Sequence, residues 1–378
     1  MRPLLLCAGL LLGCLQWGST QALQLQFQLI DEATQQPISD AHAFISDSSL
    51  GTTSDSNGYC ELRVDQEETQ VLIITHISYE TLVMGPEDYR QLVNGAKLPL
   101  KNNGIDLSEI ELTASRGAQW KKNFRKFSKA LLGEGKPAAN CTILNPEVLR
   151  FAEEDGVFRT TAIDLLEIKN DYLAYDIKFW LEELTVSDDG STFFKGNGQF
   201  IDRAEANDKK MTKRRERVYR HSLLHFLRSM ASSTDPASLK EYGYELSIQQ
   251  YEDGVFETYF LPQPQDLVQA DTTAGWFRLV FPEFLTVQHI GLRAETGREL
   301  QIPVSSAEQR RFGTSRTQAM GSSTQFAISR LYKIAPYLLF DKRGNIINKS
   351  QFEEYGYWAD QRLSATLPID YQSSFSEA

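Results

Sequence analysis

Five histidines, four cysteines and a run of basic side chains are the residues of this 378-residue chain with most scope for chemistry. A zinc peptidase site needs a His and a Glu close in sequence and a second His further on. The histidines here are followed by Ala-Phe-Ile, Ile-Ser-Tyr, Ser-Leu-Leu, Phe-Leu-Arg and Ile-Gly-Leu, so no His-x-x-Glu occurs. His221 and His225 stand four apart on a predicted helix, a spacing that lets both face one ion. Ser222 occupies the position of a zincin glutamate, however, and the neighbouring arginines repel a cation, which favours structural histidines. Lys209-Lys210, Lys213-Arg214-Arg215, Arg217 and Arg220 could grip a phosphate, a carboxylate or a lipid head group. The candidate binding set is therefore Arg214, Arg215, Arg217, Arg220, His221 and His225, with a solvated helix start as the plainer reading. No metal site and no cofactor are expected.

Other motifs fail on their spacing. No Gly-x-Ser-x-Gly elbow is present. Gly133-Glu134-Gly135-Lys136 lacks the earlier glycine of a phosphate loop, and Pro137 stands where Ser or Thr is needed. Asp55-Ser56-Asn57-Gly58 begins like a calcium loop, but Gln66 replaces the closing glutamate. Carboxylates are plentiful, yet a glycosidase pair is defined by separation in space.

The elements that would position these residues begin after a leader. Arg2, the apolar run Leu4 to Leu15 and Thr20-Gln21-Ala22 have the charge, core and small-residue site of a secretory signal peptide, residues 1–22. The apolar run is too short to span a membrane as a helix. Leu11-Leu12-Gly13-Cys14 gives a second reading, a lipidated Cys14, against which the shortness of such a signal counts. Cleavage at Ala22 removes one arginine and no acid, leaving 38 Lys+Arg against 50 Asp+Glu and arguing against general nucleic-acid binding. Cys60 and Cys141 remain, either as a disulfide or, the preferred reading, as two buried thiols.

Leu23 to Leu29 alternates apolar and polar residues strictly, the period of a strand with one buried face. Further strands are expected at 41–45, 51–53, 59–64, 71–77, 98–100 and 110–112. Asn57-Gly58 is expected to join 51–53 to 59–64 as an antiparallel hairpin. The run 71–77, apolar and β-branched, suits a strand buried on both faces.

These residues carry a resemblance. Pro37-Ile-Ser-Asp-Ala-His-Ala-Phe-Ile45, Gly51-Thr-Thr-Ser-Asp-Ser-Asn-Gly-Tyr-Cys-Glu-Leu62, Ile77-Ser-Tyr-Glu80 and Leu107-Ser-Glu-Ile-Glu-Leu112 resemble the carboxypeptidase regulatory-like domain over residues 23–113. Ser78 replaces the family's glycine before the tyrosine, and Cys60 its aromatic after the turn. The resemblance implies a seven-stranded transthyretin-like β-sandwich that is appended to secreted carboxypeptidases and TonB-dependent receptors and is not itself catalytic.

A linker is expected at 114–118 and a basic amphipathic helix at 120–130, able to meet anionic lipid or an acidic partner. Beyond it, strand-like runs at 163–168, 172–184, 192–200, 244–249, 256–260, 276–280, 285–290, 326–328 and 337–340 surround one clear helix, 216–230, so residues 119–378 read as an antiparallel β-rich α+β domain. The low-aliphatic stretch 305–323 reads as a mobile loop. Asn140-Cys-Thr-Ile-Leu-Asn-Pro146, Arg217-Val-Tyr-Arg-His-Ser222 and Tyr355-Gly-Tyr-Trp-Ala-Asp-Gln-Arg362 resemble the extension of carboxypeptidase-like regulatory domain-containing proteins of Gram-negative envelopes, with Arg220 departing from a small residue. The resemblance implies an exported, non-enzymatic protein of the periplasm or outer-membrane surface whose partner is an envelope protein or a glycan, with peripheral membrane association possible. The competing expectation is a hydrolase with its site in 119–378.

Overall fold

The computed structural model describes residues 22–104, 117–188, 190–233, 236–252, 255–260, 264–271, 275–282, 284–293, 326–347 and 352–374. The chain is β-rich, built from several sheets whose strands pair almost entirely antiparallel. The expected leader with Cys14, the strand at 110–112 and the loop at 305–323 lie outside the described residues, as does most of the expected linker.

Seven strands form the first unit: β1 (Ala22–Asp31), β2 (His42–Ile45), β3 (Gly51–Thr53), β4 (Tyr59–Asp65), β5 (Leu72–His76), β6 (Tyr79–Met84) and, after a short helix α1 (Pro86–Tyr89), β7 (Ala96–Leu100). One sheet runs β4-β1-β7, with β7 parallel to β1, and the other runs β3-β2-β5-β6. The alternation in β1 does what its period requires: Leu25, Phe27 and Leu29 are fully buried in a core that Leu62, Val64, Leu72 and Ile74 complete from both sheets. The glutamines between them face outward.

The Asn57-Gly58 turn forms, but it does not make a hairpin of β3 and β4. The β3 strand pairs with β2 in one sheet and β4 pairs with β1 in the other, so the turn carries the chain across the core. Ser54 anchors this crossing, its Oγ donating to Ile38 O at 2.8 Å and accepting from Ala41 N at 2.9 Å. Asp55 Oδ1 then accepts from the backbone N–H groups of Asn57 and Tyr59, each at 2.8 Å. Gly58 has φ +76°, and a Cβ there would lie 2.4 Å from Leu29 O. Gly58→Ala is therefore expected to destabilise by at least about 1–2 kcal/mol, the cost of a left-handed alanine alone; a urea midpoint that does not move would contradict this.

The second region opens with helices α2 (Ala118–Leu132) and α3 (Gly135–Ala138), then β8 (Cys141–Ile143), β9 (Leu149–Glu154), β10 (Val157–Ala162), β11 (Leu166–Asn170), β12 (Tyr175–Val186) and β13 (Thr192–Asp202). Its six-stranded sheet has the order β8-β11-β12-β10-β9, with β13 on the other side of β12. The α2 helix buries Phe127 and Leu131 in the core of this sheet and leaves Lys121, Lys122, Arg125 and Lys129 exposed.

Helices α4 (Lys209–Tyr219) and α5 (Leu223–Ser232) follow. The single helix expected at 216–230 is broken, because Ser222 caps α5 by accepting from His225 N at 3.1 Å while its own hydroxyl donates to Tyr219 O at 2.7 Å. The apolar stripe is thereby divided, Tyr219 packing in the core of the six-stranded sheet and Phe226 and Met230 in a third core. That third core lies between two further sheets. One contains β14 (Tyr244–Glu252), β15 (Val255–Phe260), β18 (Phe284–Arg293), β19 (Phe326–Lys333) and β21 (Phe352–Gly356); the other contains β16 (Val268–Asp271), β17 (Trp276–Leu279) and β20 (Leu338–Asp341). The residues after Gly356 return across the molecule: Trp358 enters the third core, Leu363 and Leu367 the second. Ile369 N donates to Asp47 O at 2.7 Å, and Asp370 accepts from Ser49 N at 3.0 Å in the first unit.

Candidate functional site

A half-buried group of titratable side chains, His42, His76, Asp164 and Lys178, lies where the first unit meets the six-stranded sheet. On β2, Ala43 and Ile45 face the first core, so Phe44 and His42 face away from it. On β5, Ile73 is paired with Phe44 and Thr75 with His42. Phe44 and Ile73 pack on Leu165, with Val71 and Trp180 at the edge, forming a dry contact between the two parts of the chain. Polar residues next to these apolar ones in sequence must then collect at its margin. Lys178 precedes Trp180 by two on β12, and Asp164 immediately precedes Leu165.

At that margin Lys178 Nζ lies 3.2 and 3.1 Å from Nδ1 and Nε2 of His42, and Thr53 Oγ1 lies 3.1 Å from His42 Nδ1. Burial, reinforced by the adjacent Lys178 ammonium, pushes the His42 imidazole down to about 4, so it is neutral at pH 7. His76, at the end of β5, accepts from Ser78 N at 3.1 Å and meets the Tyr79 ring edge-on at 5.2 Å; burial lowers its pKa as well. Burial raises the carboxyl of Asp164, opposed by the Leu165 N–H at 2.8 Å and by the charges of His76 and Lys178. The surroundings thus favour the neutral form of both imidazoles and of the Asp164 carboxyl. All four side chains are half-buried and so reachable from solvent.

The residues singled out from sequence are placed differently. Arg214 donates to Tyr172 O at 3.1 Å and lies over the Tyr172 ring. Arg215 is buried, donating to Leu173 O at 2.8 Å and Ala174 O at 3.0 Å, stacking 3.7 Å above the Tyr175 ring and pairing with Asp202 at 2.8 Å. Both arginines thus satisfy carbonyls of the turn between β11 and β12. Arg217 and Arg220 are exposed. His225 is buried with Nδ1 2.8 Å from Arg220 O and 3.0 Å from Tyr244 Oη. His221 lies in the break between α4 and α5, its ring 5.7 Å from that of His289. The interrupted helix is why His221 and His225 do not present a common face. Among the described residues no three of His, Cys, Asp or Glu are grouped to hold a metal ion.

His289 was not singled out from sequence, and it is the most enclosed histidine. It is fully buried, Ser329 Oγ lies 2.7 Å from its Nε2, and the rings of Tyr244, Tyr357 and Trp358 surround it at 5.6, 5.0 and 5.3 Å. Ser329 Oγ also accepts from Trp358 N at 3.1 Å. Neither His289 Nδ1 nor His221 Nδ1 has a hydrogen-bond partner among the described residues. Burial pushes His289 down to about 3 and His221 to about 4.

A shallow groove of about 520 Å³ runs between α2, α3 and β8, lined by Phe124, Ser128, Leu132, Gly133, Cys141 and Ile143 among others. Cys141 and Cys60 are free thiols, each pushed up to about 12 by burial, so neither is a ready nucleophile. No helix among the described residues is long and apolar enough to cross a membrane. The sequence matches no family model and no curated protein.

Spacing alone could not assemble the margin site, since His42, His76, Asp164 and Lys178 come from four separate stretches. One signal existed: His42 lies at the outward position of a short strand, two residues from an outward Phe44.

Proposed function

We propose that the protein is a non-enzymatic, exported component of a bacterial envelope that presents one rigid body to a partner protein or a glycan. The observation that supports this reading best is how polar groups join the first unit to the rest. Glu68, 1 % exposed, meets Arg343 through both carboxylate oxygens. Thr69 Oγ1 donates to Asp341 at 2.7 Å and accepts from Asn345 at 2.9 Å, and Ser46 Oγ donates to Asn197 at 2.7 Å. Charged and hydroxyl groups used in this way fix geometry, and fixed geometry lowers the ordering cost of binding. The resemblance to envelope proteins carrying a regulatory-like domain agrees with it. The test combines washed-envelope fractionation with a glycan array and cross-linking of the purified chain. Retention in the envelope with saturable binding to one glycan or one identified partner is expected; a monomer that binds nothing and washes free overturns the reading.

The half-buried grouping of His76 with Asp164, beside the Lys178–His42 contact, favours one second reading, a hydrolase working at that margin. Activity profiling that finds turnover abolished by Asp164→Asn would establish it, and no turnover in the parent chain would sink it.

A further inference from the structure

The α4 helix holds six Lys or Arg and one acid in 11 residues, in a chain with 39 Lys+Arg against 50 Asp+Glu. Its acid is withdrawn from its neighbours: Glu216 is 4 % exposed and accepts from Tyr371 Oη, Ser373 Oγ and Ser374 N, each at 2.8 Å. With Arg214 and Arg215 turned onto carbonyls, Lys209, Lys210, Lys213 and Arg217 remain exposed, and none of the four forms an ion pair with a described residue. Some exposed lysines elsewhere find acids, as in Lys101–Glu80 at 2.6 Å, Lys342–Glu67 at 2.7 Å and Lys240–Glu245 at 3.2 Å, whereas Lys121 and Lys122 on α2 form no ion pair with a described residue.

The placement works against the helix in two ways. Residues 209, 213 and 217 follow at successive i, i+4 steps, where like charges repel. Lys209 and Lys210 also occupy the first turn, where the helix dipole is positive; the acid nearest to it is Asp208, the residue before the turn, whose side chain makes no capping hydrogen bond. Among the described residues no ion pair offsets the four exposed cations, which leaves their face open to an anionic partner. Residues 209 to 217 make a straight row roughly 12 Å long at 1.5 Å per residue. Three of the four cations are ammonium groups, point charges rather than the forked donors that select one bidentate ligand. The rest of the chain is strongly acidic and would repel a polyanion that wrapped around it. A planar anionic surface meets the four cations with the adjoining Asp208 and Glu205, a local excess of positive charge, while charges more than about 10 Å away are screened by salt.

We infer that the exposed face of α4 docks on a membrane surface bearing anionic lipid head groups, with Lys209, Lys210, Lys213 and Arg217 against the phosphates. This inference does not rest on the proposed function. Co-sedimentation of the full chain with phosphatidylglycerol-containing vesicles and with pure phosphatidylcholine vesicles tests it. The readout is the difference between the two vesicle types, compared across variants that all share any contribution of the leader and its Arg2. Each cation near such a surface strengthens partition about 5-fold. The triple variant Lys209→Gln/Lys213→Gln/Arg217→Gln is therefore expected to lose about 100-fold in partition to anionic vesicles, and the parent chain is expected to detach at 0.5 M salt. The variant Lys121→Gln/Lys122→Gln/Arg125→Gln, which removes the same charge from the exposed face of α2, is expected to bind nearly as the parent. Equal binding of the parent to both vesicle types, no binding to either, or an equal loss in the α2 variant overturns the inference.

Discussion

Arg343→Met is expected to destabilise the chain by about 3–5 kcal/mol, because it strips a buried carboxylate of its countercharge. Glu68 sits in the loop between β4 and β5 with its side chain 2 % exposed, whereas the Arg343 side chain, 24 % exposed, keeps some access to water. The two halves of the pair are therefore unequal. Glu68→Gln leaves a guanidinium that water and Asp341, 3.8 Å away, can still stabilise, so a smaller loss of about 1–3 kcal/mol is expected. Arg343→Met leaves the Glu68 carboxylate, among the described residues, with the N–H groups of Thr69 and Gln70 at 2.9 and 3.0 Å. The double variant should lose less than the sum of the two single ones, since the stranded charge is then gone. Urea midpoints for the three chains at one pH decide the matter, and two equal single losses below about 1 kcal/mol would refute the buried-charge account.

The second large effect is a loss of stability in mild acid. His42 and His221 are pushed down to about 4 and His289 to about 3 from an ordinary 6.5, in each case chiefly by burial. In the unfolded chain these rings take up protons below pH 6.5, while in the folded chain they resist. Stability is thus complete above pH 6.5 and falls as pH drops from there toward 4, by about 1.4 kcal/mol per pH unit for a fully buried ring. His289 has no exposed surface and should contribute nearly that slope; His42 and His221, partly exposed, contribute less. Asp164, whose pKa is raised, acts in the opposite sense, and Asp31, Asp171 and Glu216, whose pKa values are lowered, add their losses only at lower pH. His289→Gln cannot charge, so its stability should change less between pH 6.5 and 4.5 than that of the parent, whatever its stability at pH 7. An unchanged slope would show that His289 does not govern the acid response.

How much of this was legible follows from the range over which each interaction acts. The β1 strand was readable because burial on one face dictates its period, and β5 because packing on two faces removes the alternation. The turn at Asn57-Gly58 was readable as local chemistry, but its destination was not: Leu29 N donates to Gly58 O at 2.8 Å, and no property of residues 51–64 specifies that partner. The break at Ser222 had a local signal, a capping residue inside an apolar stripe, which the regular spacing of Tyr219, Leu223, Phe226 and Met230 concealed. The basic cluster was visible as composition. Its division into arginines that bind carbonyls and cations that face solvent depends on the turn at 170–174, some forty residues away. His42 with Lys178 and Glu68 with Arg343 are further apart still and leave no trace in spacing.

The segment after Gly356 gives the molecule a timetable as well as a shape. It places Trp358 in one core and Leu363 in another, reaches Ser49 of the first unit through Asp370, and supplies the donors that hydrogen-bond Glu216. Every one of those partners precedes it in the chain. During synthesis, or while threading through a pore from the N-terminal side, each of these places stays open until this stretch arrives. The sheets and the Phe44–Leu165 and Ser46–Asn197 contacts between them can form earlier, but the tie that this segment supplies is made last.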